Sequence, residues 1–172
     1  MKFAIIQVLM PAMVAARMVF LNNENESDYE RAGSWQIIYP GTKWCGAGNV
    51  AQNENDFGPE IEADRCCKAH DLCDDYIEAG GTKHNLTNSA FYTRLKCQCD
   101  EDFNACLKKG NTRASNQVGY LYFNALGTQC FREDYPVISC VRYTITPKRK
   151  CLEYEYDTTK EKIYQWFDVQ IY

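Results

Sequence analysis

The stretch Cys66-Cys67-Lys68-Ala69-His70-Asp71-Leu72-Cys73 decides how the rest of the chain is read. On a helix Cys66 and Cys73, seven residues apart, share a face, and Cys67 and His70 stand about one turn apart. His70 and Asp71 are adjacent, so their side chains diverge by about 100° and serve different neighbours. The helix carrying them is expected from Glu60 to about Ala79, closed by Gly80-Gly81. A second helix is expected to start between Asn85 and Asn88 and to run to Lys109, closed by Gly110. Its apolar and cysteine positions Phe91, Leu95, Cys99, Phe103 and Cys106 recur at steps of three and four.

Upstream lies Trp44-Cys45-Gly46-Ala47-Gly48, in a glycine- and asparagine-rich stretch from Gly41 to Gly58 that reads as loop. Glycines at alternate positions let a loop turn its carbonyls inward. Calcium takes six to eight oxygens, commonly carbonyls plus carboxylate. The carbonyls of Trp44, Gly46 and Gly48 with the carboxylate of Asp71 are therefore a candidate site for one calcium ion. On the second helix Asp100 follows Cys99. If disulfides clamp the helices side by side, Asp100 can accept a hydrogen bond from His70, whose other nitrogen then takes a proton from water. That chemistry needs no nucleophilic serine.

Past Gly127 the pattern changes. Leu152, Tyr154 and Tyr156 alternate with Glu153 and Glu155, residues 157–160 can turn the chain, and Ile163 to Phe167 can return. The expected fold is thus mainly α and disulfide-rich. Two antiparallel central helices bridged by disulfides follow a calcium-binding loop and precede a C-terminal β-hairpin.

All ten cysteines lie between positions 45 and 151, an even count that argues for five disulfides and an oxidising compartment. Residues 1–16 read as a signal peptide: Lys2 is followed by an apolar run too short to span a bilayer, with small residues at Val14-Ala15-Ala16. Residues 17–36, polar and acidic from Asn22 to Arg31, read as a propeptide, a retained tail being the other reading. One domain, residues 37–172, remains. It holds 16 Lys+Arg against 19 Asp+Glu, which gives no general attraction to nucleic acid or to anionic membranes. Secretion follows, and contact with lipid must rest on apolar side chains. Ile37, Ile38, Tyr39, Trp44 and Ile77 could form an apolar rim, with ordinary core as the alternative.

Trp-Cys-Gly-x-Gly, then Cys-Cys-x-x-His-Asp-x-Cys, then Cys-x-Cys-Asp together resemble secreted phospholipase A2, and in particular its bee-venom, group III type. Ile37-Ile38-Tyr39-Pro40-Gly41-Thr42, Leu86-Thr87-Asn88, Tyr122-Phe123-Asn124 and Tyr164-Gln165-Trp166-Phe167-Asp168 resemble that type as well, so the likeness covers nearly all of residues 37–172. The resemblance implies calcium-dependent hydrolysis of the sn-2 ester of glycerophospholipids at a membrane or micelle surface by a monomer. It implies calcium at Trp44, Gly46, Gly48 and Asp71, His70 as base, Asp100 as its partner, and Tyr122 bonded to Asp100. It also implies the pairs Cys45–Cys67, Cys66–Cys106, Cys73–Cys99, Cys97–Cys130 and Cys140–Cys151, which spacing alone does not choose. Ala47 stands where bee-type loops often carry a bulkier residue, and the net charge is negative where that type is basic.

Other readings compete. A zinc site from Cys66, Cys67, His70 and Cys73 conflicts with an exported, cysteine-rich chain. A silent relative that binds a receptor or channel would have no need of His70, Asp71 and Asp100 together, and neither would a disulfide-rich inhibitory module. His84 reads as structural, and Lys148-Arg149-Lys150 as a solvated turn. Asn85-Leu86-Thr87 is a glycosylation sequon at an expected surface turn.

Overall fold

The computed structural model describes residues 37–145 and 148–172. The expected signal peptide and propeptide lie outside the described residues. None of the described helices is long and apolar enough to cross a membrane.

Helix α1 spans Ile61–Asp71, with Glu62 and Asp64 in its first turn and Lys68 and His70 in its last, a charge order that suits the helix dipole. It stops eight residues short of the expected end. Cys73 is tied to Cys99, Asp74 is paired with Lys96, and Asp75 accepts from Lys83 at 2.6 Å and His84 at 2.9 Å. These tertiary bonds pull residues 72–79 out of a helix their composition would allow. Gly80 and Gly81 turn the chain between short strands instead.

Four two-residue strands follow: β1 (Tyr76–Ile77), β2 (Thr82–Lys83), β3 (Leu86–Thr87) and β4 (Arg94–Leu95), with β1 paired to β4 and β2 to β3. The second helix, α2, therefore begins only at Cys97 and runs to Gly110, and Asn111 in the left-handed conformation ends it. Asn88 explains the late start. Fully buried, its side-chain amide donates to the carbonyls of Ile77, Glu78 and Tyr92, and its oxygen accepts from the Ala90 N–H. Those bonds fix a loop where a helix was expected, and Phe91, expected on the inner face, is 90% exposed.

A third helix, α3 (Arg113–Gly119), is capped by Thr112, whose hydroxyl accepts from the Ser115 N–H at 3.0 Å. It passes directly into a π-helical segment, Tyr120–Leu126. Then come β5 (Gln129–Asp134), β6 (Val137–Tyr143), β7 (Cys151–Tyr156) and β8 (Ile163–Asp168). The expected C-terminal hairpin is corrected here: β7 and β8 exist but do not pair with each other. β8 pairs with β5, Cys130 opposite Phe167, and β7 pairs with β6 across the Cys140–Cys151 disulfide. Gln165 holds the first of these registers, its amide donating to the carbonyls of Asp134 and Tyr135 and accepting from the Val137 N–H. Strands thus carry almost as much of the chain as helices, so the fold is less helical than expected.

Five disulfides run through the domain: Cys45–Cys67, Cys66–Cys106, Cys73–Cys99, Cys97–Cys130 and Cys140–Cys151. Three of them tether α2, to α1, to the segment after α1 and to β5. Between these tethers lies a core of Trp44, Ala63, Phe103, Leu107, Val118, Phe123, Phe167 and Val169. Trp44 and Ile77 are buried, so they belong to the core and not to an apolar rim. Lys150 is a second correction. It is buried, and its amine donates to the carbonyls of Phe123 and of Val169, the latter at 3.1 Å.

Candidate active site

His70 stands one residue before the end of α1 and Asp100 in the first turn of α2, two positions that the Cys66–Cys106 and Cys73–Cys99 bonds hold together. Their side chains meet: His70 Nε2 lies 2.9 Å from Asp100 Oδ1. With a carboxylate as partner, Nε2 is the nitrogen that carries the proton, and Nδ1 is the one left to accept. The ring lies stacked on Phe103, centroids 4.3 Å apart, with Tyr122 edge-on at 5.0 Å. Aromatic walls on two sides limit the imidazole to one plane.

Asp100 is 2% exposed. A carboxylate that deep needs donors, and Tyr122, from the π-helical segment, supplies one at 2.7 Å to the same Oδ1. Burial first, and the charge on Asp100 second, push the Tyr122 phenol well above its ordinary value, so it stays a donor. The other oxygen, Oδ2, has no partner among the described residues.

Asp71, the last residue of α1, points to a different neighbourhood, as its offset from His70 requires. Its carboxyl makes no hydrogen bond or ion pair among the described residues. Although the residue is solvent-accessible, surrounding protein strips enough water from the carboxyl to push it up to about 7, His70 pulling the other way and Asp64 adding to the rise.

The loop that precedes α1 is held from both sides. Ile38 bridges to Gly46, with the Tyr39 N–H donating to the Cys45 carbonyl at 2.7 Å and the Ala47 N–H to Ile37 at 3.2 Å. A Cβ on Gly46 would lie 2.1 Å from the Ile37 carbonyl oxygen, so only glycine lets the strand pass. Gly48 has a φ of +85°, which glycine alone adopts freely. The Lys43 carbonyl accepts from Val50, whereas those of Trp44, Gly46 and Gly48 accept no hydrogen bond among the described residues. Free carbonyls on alternate residues and an unpartnered carboxylate make a donor set suited to a hard cation.

Sequence reasoning passed over Asp64. Its carboxylate, completely buried, accepts from the backbone N–H groups of Lys43, Trp44 and Gly58. Cys73, Asp74 and Cys99 also lie close together, but both sulfurs belong to one disulfide and Asp74 is paired with Lys96, so they are no metal centre. The zinc reading ends likewise, because Cys66, Cys67 and Cys73 are all in disulfides. His84 bonds to Asp75 and stacks on Tyr164 at 3.9 Å, a packing role apart from His70. Asn85 is exposed at the tip of the β2–β3 turn, with φ +59°.

The sequence profile of the family described as Phospholipase A2 matches residues 38–134. A phospholipase A2 of Bombus pensylvanicus is 55% identical over 138 residues, which cover 79% of this chain and all of the relative. That of Xylocopa appendiculata circumvolans is 47% identical over 156 residues, 91% of this chain and 84% of the relative. That of Apis mellifera is 46% identical over 138 residues, 80% and 81% of the two chains. The chain belongs to the phospholipase A2 family, in its group III, bee-venom type, and is an enzyme that hydrolyses phospholipids.

Proposed function

We propose that this chain is a secreted, calcium-dependent enzyme that cleaves the sn-2 ester of glycerophospholipids, with His70 as base and Asp100 as its partner. The observation that carries the reading is the 2.9 Å contact of His70 Nε2 with Asp100 Oδ1, which leaves Nδ1 free to accept. Cys66, midway along α1, bonds to Cys106, late in α2, and Cys73, just past the end of α1, bonds to Cys99 near the start of α2, which supports an antiparallel pair.

In this mechanism His70 Nδ1 takes a proton from a water molecule as its oxygen attacks the ester carbonyl carbon. The imidazolium so formed is offset by Asp100, which also keeps the proton on Nε2. As the tetrahedral adduct collapses, the imidazolium returns a proton to the departing glycerol oxygen, and fatty acid and lysophospholipid separate. Tyr122 holds Asp100 Oδ1 in place throughout, and Phe103 keeps the ring in its plane.

Calcium fits the donors of the loop and α1: among the described residues the carbonyls of Trp44, Gly46 and Gly48 have no hydrogen-bond partner and the Asp71 carboxylate has no ion-pair partner. Bound there, the ion supplies Lewis-acid polarisation of the ester and neutralises the developing oxyanion. Exposed Ile37 and Leu72, beside the loop and next to Asp71, are apolar contacts for the lipid surface. Exposure of Asn85 supports its reading as a glycan acceptor. The test is ester hydrolysis with calcium and with excess chelator: hydrolysis that persists in chelator rejects the calcium role, and full activity in folded His70→Gln rejects the base.

A further inference from the structure

Asp64 is a charged residue buried at 0% exposure, yet the hydrolytic scheme above gives it no task. Burying a carboxylate costs several kcal/mol unless donors surround it, and here all of them are backbone amides. Oδ1 accepts from Trp44 N–H at 2.7 Å and Lys43 N–H at 2.9 Å, and Oδ2 from Gly58 N–H at 2.7 Å and Lys43 at 3.0 Å. One side chain of α1 therefore grips both ends of the loop from Lys43 to Gly58. Asp64 and Asp71 are seven residues apart on α1 and share a face.

The grip also sets which carbonyls are free. The Trp44 N–H is turned to the carboxylate, and the carbonyls of Lys43 and Cys45 are committed to Val50 and Tyr39. The remaining carbonyl between them, that of Trp44, accepts no hydrogen bond among the described residues. The Cys45–Cys67 disulfide fixes the loop at one point but does not orient those peptide planes.

We infer that Asp64 is the positioning residue of the cation loop, holding the Trp44 carbonyl in register with the Asp71 carboxylate. This rests on the calcium reading above. A carboxylate is required because its two acceptors face three N–H donors, whereas asparagine would set an NH2 group against one of them. Groups that orient metal ligands typically change affinity 10–100-fold when removed.

The test is calcium titration by calorimetry, without lipid, on the oxidised protein and on Asp64→Asn and Asp64→Glu whose five disulfides are verified. The expected result is a calcium dissociation constant raised about tenfold or more in both variants. Hydrolysis should need proportionally more calcium, and Asp64→Glu, which keeps the charge that acts on Asp71, should keep the parent's pH profile, since His70 and Asp100 are untouched. A folded variant that binds calcium within twofold of the parent overturns the inference. A parent that binds no calcium overturns the calcium reading itself, a distinct outcome. If neither variant folds, amide exchange of the parent decides: Lys43, Trp44 and Gly58 protected as strongly as α1 support the anchor, and exchange at open-loop rates overturns it.

Discussion

Tyr122→Phe removes one oxygen and little else, because the ring keeps its edge-on contacts with Phe103 at 5.4 Å and Phe123 at 4.9 Å. What is lost is a 2.7 Å hydrogen bond to a carboxylate that is 2% exposed and whose second oxygen has no partner among the described residues. Hydrogen bonds to charged groups contribute about 1.5–3 kcal/mol, and the absence of a substitute donor puts this one at about 2–3 kcal/mol. At roughly 4 °C per kcal/mol for a chain of this size, melting should fall by about 8–12 °C. Activity should fall less than about tenfold at a temperature where the variant is folded, because the His70–Asp100 contact remains. Differential scanning calorimetry and a rate assay on the same preparation measure both effects. A variant that melts within about 2 °C of the parent would refute the view that Tyr122 supports the buried charge.

His70→Gln should keep the fold and the five disulfides while losing about 10²–10⁴-fold in ester hydrolysis, read by fatty-acid titration. Asp71 gives a pH prediction. Its folded carboxyl, raised to about 7, favours the neutral form, so the calcium-free protein loses stability as pH rises from the unfolded value of 3.8 through 7. Calcium then competes with a proton below 7, and the rise in melting temperature on adding calcium should be larger at pH 8 than at pH 5. Equal rises at both values would reject that coupling. Lys150→Met removes the donor from two carbonyls, those of Phe123 and Val169, and should cost about 1–3 kcal/mol in denaturant unfolding with disulfides intact. An unchanged midpoint would mean that relief of a buried charge offsets the lost bonds.

What could be read from the sequence was local. The helical offset of His70 from Asp71 and the alternating glycines of 46 and 48 are short-range patterns, and they were enough to nominate the site. The ends of the helices were not legible, because Asn88 and Cys73 set them through bonds to residues 11 and 26 positions away. β7 and β8 were legible as strands, but their partners were not. Pairing of β8 with β5 depends on Gln165 reaching residues about thirty positions away. Val137-Ile138-Ser139-Cys140-Val141 carried a β-branched signal that could have revealed β6. Lys150 looked solvated within a basic run because its carbonyl partners lie 27 and 19 residues off. Asp64 looked like an ordinary first-turn carboxylate, since nothing local distinguishes a dipole partner from a buried anchor.

The central claim is tested most directly by fatty-acid release from phosphatidylcholine vesicles labelled in the sn-2 chain, using the oxidised protein with calcium, then chelator, then calcium restored. The account predicts release of the sn-2 label that stops on chelation and returns with calcium. Release that continues in chelator, or none from folded protein in calcium, would contradict it.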